Sequence, residues 1–179
     1  MIFSSITFLF IFLPAVLALY YLTPTRWRNI PALIASLVFF AWGAPRFVLV
    51  LIATCFVDYH VSRFLPPGRL QDKRRNRLLG GVIAFDLAFL LYFKYANFFV
   101  AQTQDFLSLF GIPPFGWMSV ALPIGISFFT FHKISYLVDV YRGVAPVVQS
   151  QGRHLLYIAL FPQLIAGPII RYHDVAKQL

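Results

Sequence analysis

The sequence predicts an all-α, polytopic membrane protein of about five to six transmembrane helices, and three observations carry that reading. The chain has 179 residues, of which 60% are hydrophobic, with a mean hydropathy of +0.76. Only 12% are charged, about half the share usual for soluble domains. The apolar residues fall into successive runs separated by Pro/Gly turns or by basic clusters, the pattern of membrane-crossing helices joined by short loops. A soluble fold would have to bury nearly every helix on all sides, which a chain of this size cannot do.

The elements follow in order. Residues 1–25 carry no charge. No basic stretch precedes the apolar run and no small-residue cleavage pattern follows it, so residues 6–22 read as a retained first span, kinked at Pro14, rather than as a signal peptide. Arg26 and Arg28 follow. Residues 29–45 are again uncharged and form a short second span ending at Gly43-Ala44-Pro45. Residues 46–64 form a third, with Asp58, His60 and Arg63 towards its far end. Pro66-Pro67-Gly68 then opens a basic loop over residues 65–77. Arg63, Arg69, Lys73, Arg74, Arg75 and Arg77 place six of the 15 basic residues within this short region. That concentration is the strongest orientation signal in the chain and assigns the loop to the cytoplasm.

Residues 78–93 make a fourth span containing Asp86, which runs into Lys94-Tyr95-Ala96-Asn97. Residues 98–117 are broken by Gly111, Pro113, Pro114 and Gly116 and read as a short interfacial helix and a loop, with Trp117 at headgroup level. Residues 122–142 form a fifth span, residues 143–153 a polar connection. Residues 154–171 are interrupted by Pro162, Gly167 and Pro168 and read as a broken or re-entrant segment. With the basic loop inside, the N-terminus lies in the periplasm. The whole of residues 1–179 reads as one transmembrane domain.

The formal charge of +9, from 15 Lys and Arg against 6 Asp and no Glu, reflects cytoplasmic loops. It does not indicate nucleic acid. The single Cys55 excludes an internal disulfide and reads as a small buried hydrophobe. His60, His132, His154 and His173 are scattered without metal-ligand spacing, and no phosphate-binding glycine pattern occurs, so neither a bound metal nor a bound cofactor is expected.

Ionisable residues within apolar segments are costly and mark function or packing. Asp58 and Asp86 sit on the two arms of the hairpin closed by the basic loop. They lie about 9 Å and 12 Å from its ends at ~1.5 Å per residue, so they can share one polar site. That site is either a proton or substrate path or an ion pair that fixes helix packing. His132, beside Lys133, is either a general base in a polar tunnel or a hydrogen-bonded structural residue. Asp139 and Arg142, three apart, form a local ion pair. The stretch FPQLIAGP at residues 161–168 either lines a cavity with Pro162, Gln163, Gly167 and Pro168 or is a simple kink.

Several ordered motifs match one family. MIFSSITFLFIFLP at the start, YFKYANF at 92–98, LPIGISFFTF at 122–131, YLVDVYRG at 136–143 and FPQLIAGPIIR at 161–171 span essentially the whole chain. It resembles the membrane-bound O-acyltransferases, and within them the branch of bacterial alginate O-acetylation. A related branch acting in D-alanylation of teichoic acids shares parts of these motifs but is less similar in YFKYANF and AGPIIR. The resemblance implies a ring of transmembrane helices around a funnel in the bacterial inner membrane. An acetyl group passes from a cytosolic donor, acetyl-CoA, to an exported polysaccharide, with periplasmic acetyltransferase partners. His132, Asp139, Tyr141, Arg142, Pro162, Gln163, Gly167, Pro168, Lys94, Asp58 and Asp86 are then expected to line the tunnel or its donor side. The family's catalytic histidine lies downstream of FPQLIAGPI, so none of the four histidines here is expected to be catalytic, and the chain reads as the N-terminal part of such an enzyme, inactive alone. A transporter subunit is the rival class, and its discriminator, an inverted repeat, is not found in the sequence.

Overall fold

A computed structural model describes residues 5–123, 125–166 and 171–176, without the side chains of 164–166. Among these residues the fold is all-helical, with no strand. A π-helical turn at Phe8–Phe12 leads into α1 (Leu13–Leu22). The π register lets Leu13 N donate to the Phe8 carbonyl just before Pro14, which has no N–H of its own, so the helix continues through the proline. A 3₁₀ turn (Thr25–Trp27) connects to α2 (Asn29–Gly43), with Pro31 in its first turn, where a missing N–H costs nothing. A tight turn at Ala44–Arg46 reverses the chain into α3 (Phe47–Ser62).

The largest departure from the sequence reading is α4, a single helix over Asp72–Ser108. Residues 72–77 of the expected basic loop form its first turns, and the expected fourth span over 78–93 and the interfacial helix after it are one continuous helix. Thirty-seven residues correspond to about 55 Å. Polarity suggested a loop at 72–77, but only backbone chemistry ends a helix. No proline occurs between 72 and 108. Gly80 and Gly81 each cost only ~1 kcal/mol relative to Ala. The helix ends at Ser108, and in the turn that follows Gly111, with φ of 73°, lets Ile112 N reach back to the Leu107 carbonyl at 3.3 Å. The following loop folds back along the helix: Asn97 binds Val120 through both its backbone N–H and carbonyl and accepts from Trp117 Nε1 at 3.0 Å, while Gln104 Nε2 donates to the Phe115 carbonyl at 2.6 Å.

α5 covers Ile126–Arg142, starting later than residue 122 because Gly125 adopts φ 75° ahead of it. It is the central helix, buried against α3, α4, α6 and α8. Gly143 caps it at φ 73°, and a Cβ there would lie 3.3 Å from Pro67 Cγ, so the position needs glycine for both conformation and space. The polar connection leads to α6 (Gln151–Ala159), N-capped by Ser150, and then, after a break at Leu160, to α7 (Phe161–Ala166). α8 (Tyr172–Val175) returns against α5. One core joins α3, α4, α5 and α6; a smaller aromatic one packs Phe8, Phe39 and Phe161.

Among the described residues, α4 alone is long and apolar enough to cross a membrane. The other apolar helices run 10–17 residues, roughly 15–26 Å, against a hydrocarbon core of ~30 Å.

Candidate functional site

Lys133 organises the polar interior. It stands in the middle of α5, and its side chain is fully enclosed. Its ammonium Nζ lies 2.5 Å from Asp86 Oδ1 on α4 and 3.0 Å from Asp58 Oδ2 on α3. Asp58 and Asp86 are themselves buried. An ammonium with three donors between two carboxylates ties three helices at one point. The attraction is large in so dry a place, and so is the desolvation cost, which makes the triad a device for specifying packing more than for adding stability. Asp58 and Asp86 do come together, but through a lysine that the sequence reading passed over in favour of its neighbour His132. The overlooked signal was spacing. Lys133 lies about nine residues from the loop end of α5, close to the depth at which Asp58 and Asp86 sit on their own helices.

One turn along α5, Tyr136 continues the polar seam. Its hydroxyl donates to Ser62 Oγ at 3.0 Å and accepts from Val148 N at 3.2 Å, and Ser62 Oγ in turn donates to the Tyr59 carbonyl at 2.8 Å. The connection after α5 is thereby anchored to the end of α3. Arg75 closes the seam at the loop end. It is buried, not solvated: Nε donates to the Leu65 carbonyl at 3.0 Å, Nη2 to the Tyr141 carbonyl at 2.8 Å and Nη1 to Asp72 at 2.9 Å, while the guanidinium stacks 4.4 Å from the Tyr141 ring. A guanidinium satisfies two helix ends at once because its donors are fixed in a planar fork. So one of the six residues counted as an orientation signal is a structural clamp. The Tyr141 hydroxyl donates to Asn76 Oδ1 across the same junction.

An imidazole–aromatic cluster packs beside the seam. His154 is wholly buried on α6, 4.8 Å from the Tyr136 ring. Tyr172 stacks edge-on against both Tyr136 and Tyr157 at 5.0 Å and 5.3 Å. His132 is buried, with Nδ1 2.8 Å from the Phe128 carbonyl and its ring edge-on to Tyr157 at 5.8 Å. That carbonyl requires a proton on Nδ1, so Nε2 is left as the acceptor.

The remaining expected lining residues are dispersed. Asp139 faces His173 Nδ1 at 3.7 Å, and Arg142 is exposed, so the local Asp139–Arg142 pair does not appear among the described ion pairs. A helix-end carboxylate is drawn instead to the segment that packs across it. Lys94 is exposed on the far half of α4, its ammonium 5.4 Å from the Tyr95 ring, about 12 Å along the axis from Asp86. Pro162 is exposed, and Gln163 is buried. Gln163 helps line a cavity of about 190 Å³ with Tyr157, Asn29 and Leu156. Gly167 and Pro168 lie outside the described residues. No group of three His, Cys, Asp or Glu is placed to hold a metal among the described residues.

The chain is 42% identical over 99% of its length to the probable alginate O-acetylase of Pseudomonas aeruginosa, and 44% identical over 99% to that of Pseudomonas syringae. This chain is a homologue of the alginate O-acetylases. It spans about a third of their length, 34% in both cases. A peptidoglycan O-acetyltransferase of Helicobacter pylori is 27% identical over 99% of this chain and 38% of its own. No protein-family model and no solved structure matches the chain. The alginate branch indicated by YFKYANF and AGPIIR is the one for which the two Pseudomonas relatives are named.

Proposed function

We propose that this chain is part of a membrane-bound O-acyltransferase that moves an acetyl group from a cytosolic donor to an exported, alginate-like polysaccharide. The carrying observation is the 42% identity that extends over 99% of the chain to probable alginate O-acetylases. The peptidoglycan O-acetyltransferase likeness favours acetyl over D-alanyl as the transferred group, because both kinds of relative are named for O-acetyl transfer. The architecture supports a membrane setting: α4 is long enough to cross, and its apolar face, including Leu91, Phe98 and Phe99, is exposed. In this reading five to six helices form part of a ring in the bacterial inner membrane. The N-terminus is periplasmic, and the loop end bearing Arg74 and Arg77 faces the cytoplasm.

The part of this chain in the reaction is architectural. The Lys133 triad and the Arg75 clamp hold α3, α4 and α5 in fixed register. The cavity at Tyr157 and Gln163 lies beside that rigid block and is the region where a donor or acyl group would pass. Acetyl-CoA is the donor that fits a cytosolic acetyl source, and periplasmic acetyltransferases are the partners for delivery to the polymer. A transporter reading finds no comparable support among the relatives.

A chimera tests the proposal. The matching third of the Pseudomonas aeruginosa relative is replaced by this chain in a host lacking that protein, and O-acetyl esters on the exported polymer are measured. Restored acetylation supports the reading. A chimera that inserts into the membrane at normal levels yet leaves the polymer unacetylated rejects it.

A further inference from the structure

An open groove of about 530 Å³ runs between α1 and α2, and none of the Lys133 triad lines it. Its walls are apolar: Phe12 from the π-helical turn, Val16 and Leu19 from α1, and Ile30, Ile34 and Val38 from α2. One end is different in kind. Thr23 and Trp27 line that end, and each of them contacts a guanidinium group. Arg28 donates from Nε to the Thr23 carbonyl at 3.2 Å and lies 5.4 Å from the Tyr20 ring and 6.0 Å from the Tyr21 ring. Arg26 lies 5.9 Å from the Trp27 ring. No acidic residue occurs before Asp58 in the sequence, so nothing on these two helices neutralises the pair.

We infer that this groove is a binding site for an anionic phospholipid, with one acyl chain between α1 and α2 and the phosphate against Arg26 and Arg28. Three features select this occupant. Two guanidinium groups with no acidic residue on α1 or α2 repel a positively charged partner and attract a phosphate, which guanidinium groups bind bidentately. Trp27, Tyr20 and Tyr21 beside them are the residues that settle at the headgroup level of a bilayer. The groove also has the right length. From Trp27 to Val38 is about 16 Å of helix, close to one leaflet at roughly half of a ~30 Å hydrocarbon core. The site rests on the membrane reading of the chain and adds to it a specific lipid at a specific place.

The test uses the full chain in nanodiscs containing a trace of phosphatidylglycerol or phosphatidylcholine with a photoreactive group in the acyl tail. Labelled peptides are mapped by mass spectrometry. Residues 12–19 and 30–38 are expected to label several-fold more with phosphatidylglycerol. Arg26→Gln/Arg28→Gln is expected to abolish that preference, and Ile34→Trp, which fills the groove, to lower labelling by both lipids. Leu91, Phe98 and Phe99 on α4 are the control, labelled equally by both. Equal labelling of the groove by the two lipids, or a preference that survives loss of both arginines, overturns the site. A groove protected from both lipids while α4 is labelled also overturns it, because a second copy or another protein segment then occupies the groove. Absence of labelling on α4 overturns the membrane reading itself, and the site with it.

Discussion

The two halves of α4 are one continuous helix with opposite surroundings. The first half buries Arg75, Val82, Asp86 and Leu90, a stripe at spacings of seven and four that faces α3 and α5. Two of those four are charged, and each has a buried role: Asp86 accepts from Lys133, and Arg75 joins two helix ends. From residue 91 to 108 no residue is buried, and the large side chains Leu91, Tyr92, Phe98, Phe99 and Phe106 are exposed. Arg75 and Asp86 are inside, while Asp72, Lys73, Arg74 and Arg77 at the helix start are exposed, and the large aromatic side chains of the second half are outside. Residue type alone predicts the reverse in water. The inversion follows once hydrocarbon is the solvent: apolar side chains then lose nothing by facing outwards, and charges are driven into mutual contact.

Substitutions can break that contrast. The largest effect is expected from Lys133→Met, which leaves two buried carboxylates facing each other without their cation. A loss of about 3–5 kcal/mol in unfolding free energy is expected, measured by denaturant titration in detergent. The triple change Lys133→Met/Asp58→Asn/Asp86→Asn should recover much of it, since no net charge is then buried. A triple variant as unstable as the single one would show that the ion triad is not the cause.

Arg75→Ala comes next, with a loss of about 2–3 kcal/mol from the two carbonyls it leaves without their charged donor. Arg75→Lys should recover only part of this, because an ammonium cannot copy the planar fork. Equal stability of the two variants would reject the clamp. Gly143→Ala is expected to cost about 1–2 kcal/mol from its positive φ and the approach of Pro67, read from the shift in thermal midpoint.

The outer half should respond least. Asn97→Ala removes the contacts that hold Trp117 and Val120 against α4, but the site is exposed. A change of at most about 1 kcal/mol is expected, together with faster proteolysis in residues 109–123. Global destabilisation matching that of Arg75→Ala would erase the distinction between the halves.

Much of this organisation was legible in the sequence, and the rest was not for identifiable reasons. The uncharged runs, the Pro/Gly turns at 43–45 and 66–68, and the break before Pro162 are local properties, each set by solvent preference or by a backbone that cannot continue. Similar depth for Asp58 and Asp86 followed from helical rise and the hairpin between them. Polarity at 72–77 predicts a loop that α4 does not make, because polar side chains leave the backbone hydrogen-bond ladder intact and no proline occurs between 72 and 108. The site was less legible still. Lys133 was hidden beside His132, Arg75 within a basic cluster, and Asp139 behind a nearby Arg142, because a charge's partner is usually distant in sequence.

By itself, then, the sequence determined an apolar, all-helical chain, the order of its turns, its concentration of positive charge in residues 63–77 and its kinship with the O-acetylases. These depend on composition, on 3.6-residue periodicity and on motifs, all of which can be read along a line. The tertiary structure alone decided that Lys133 is shared by Asp58 and Asp86, that Arg75 is inside, and that Asp139 turns to His173. Each of those choices depends on how α3, α4, α5 and the later segments dock, and a buried charge takes the partner that docking brings within about 3–4 Å, whatever its neighbours in sequence offer.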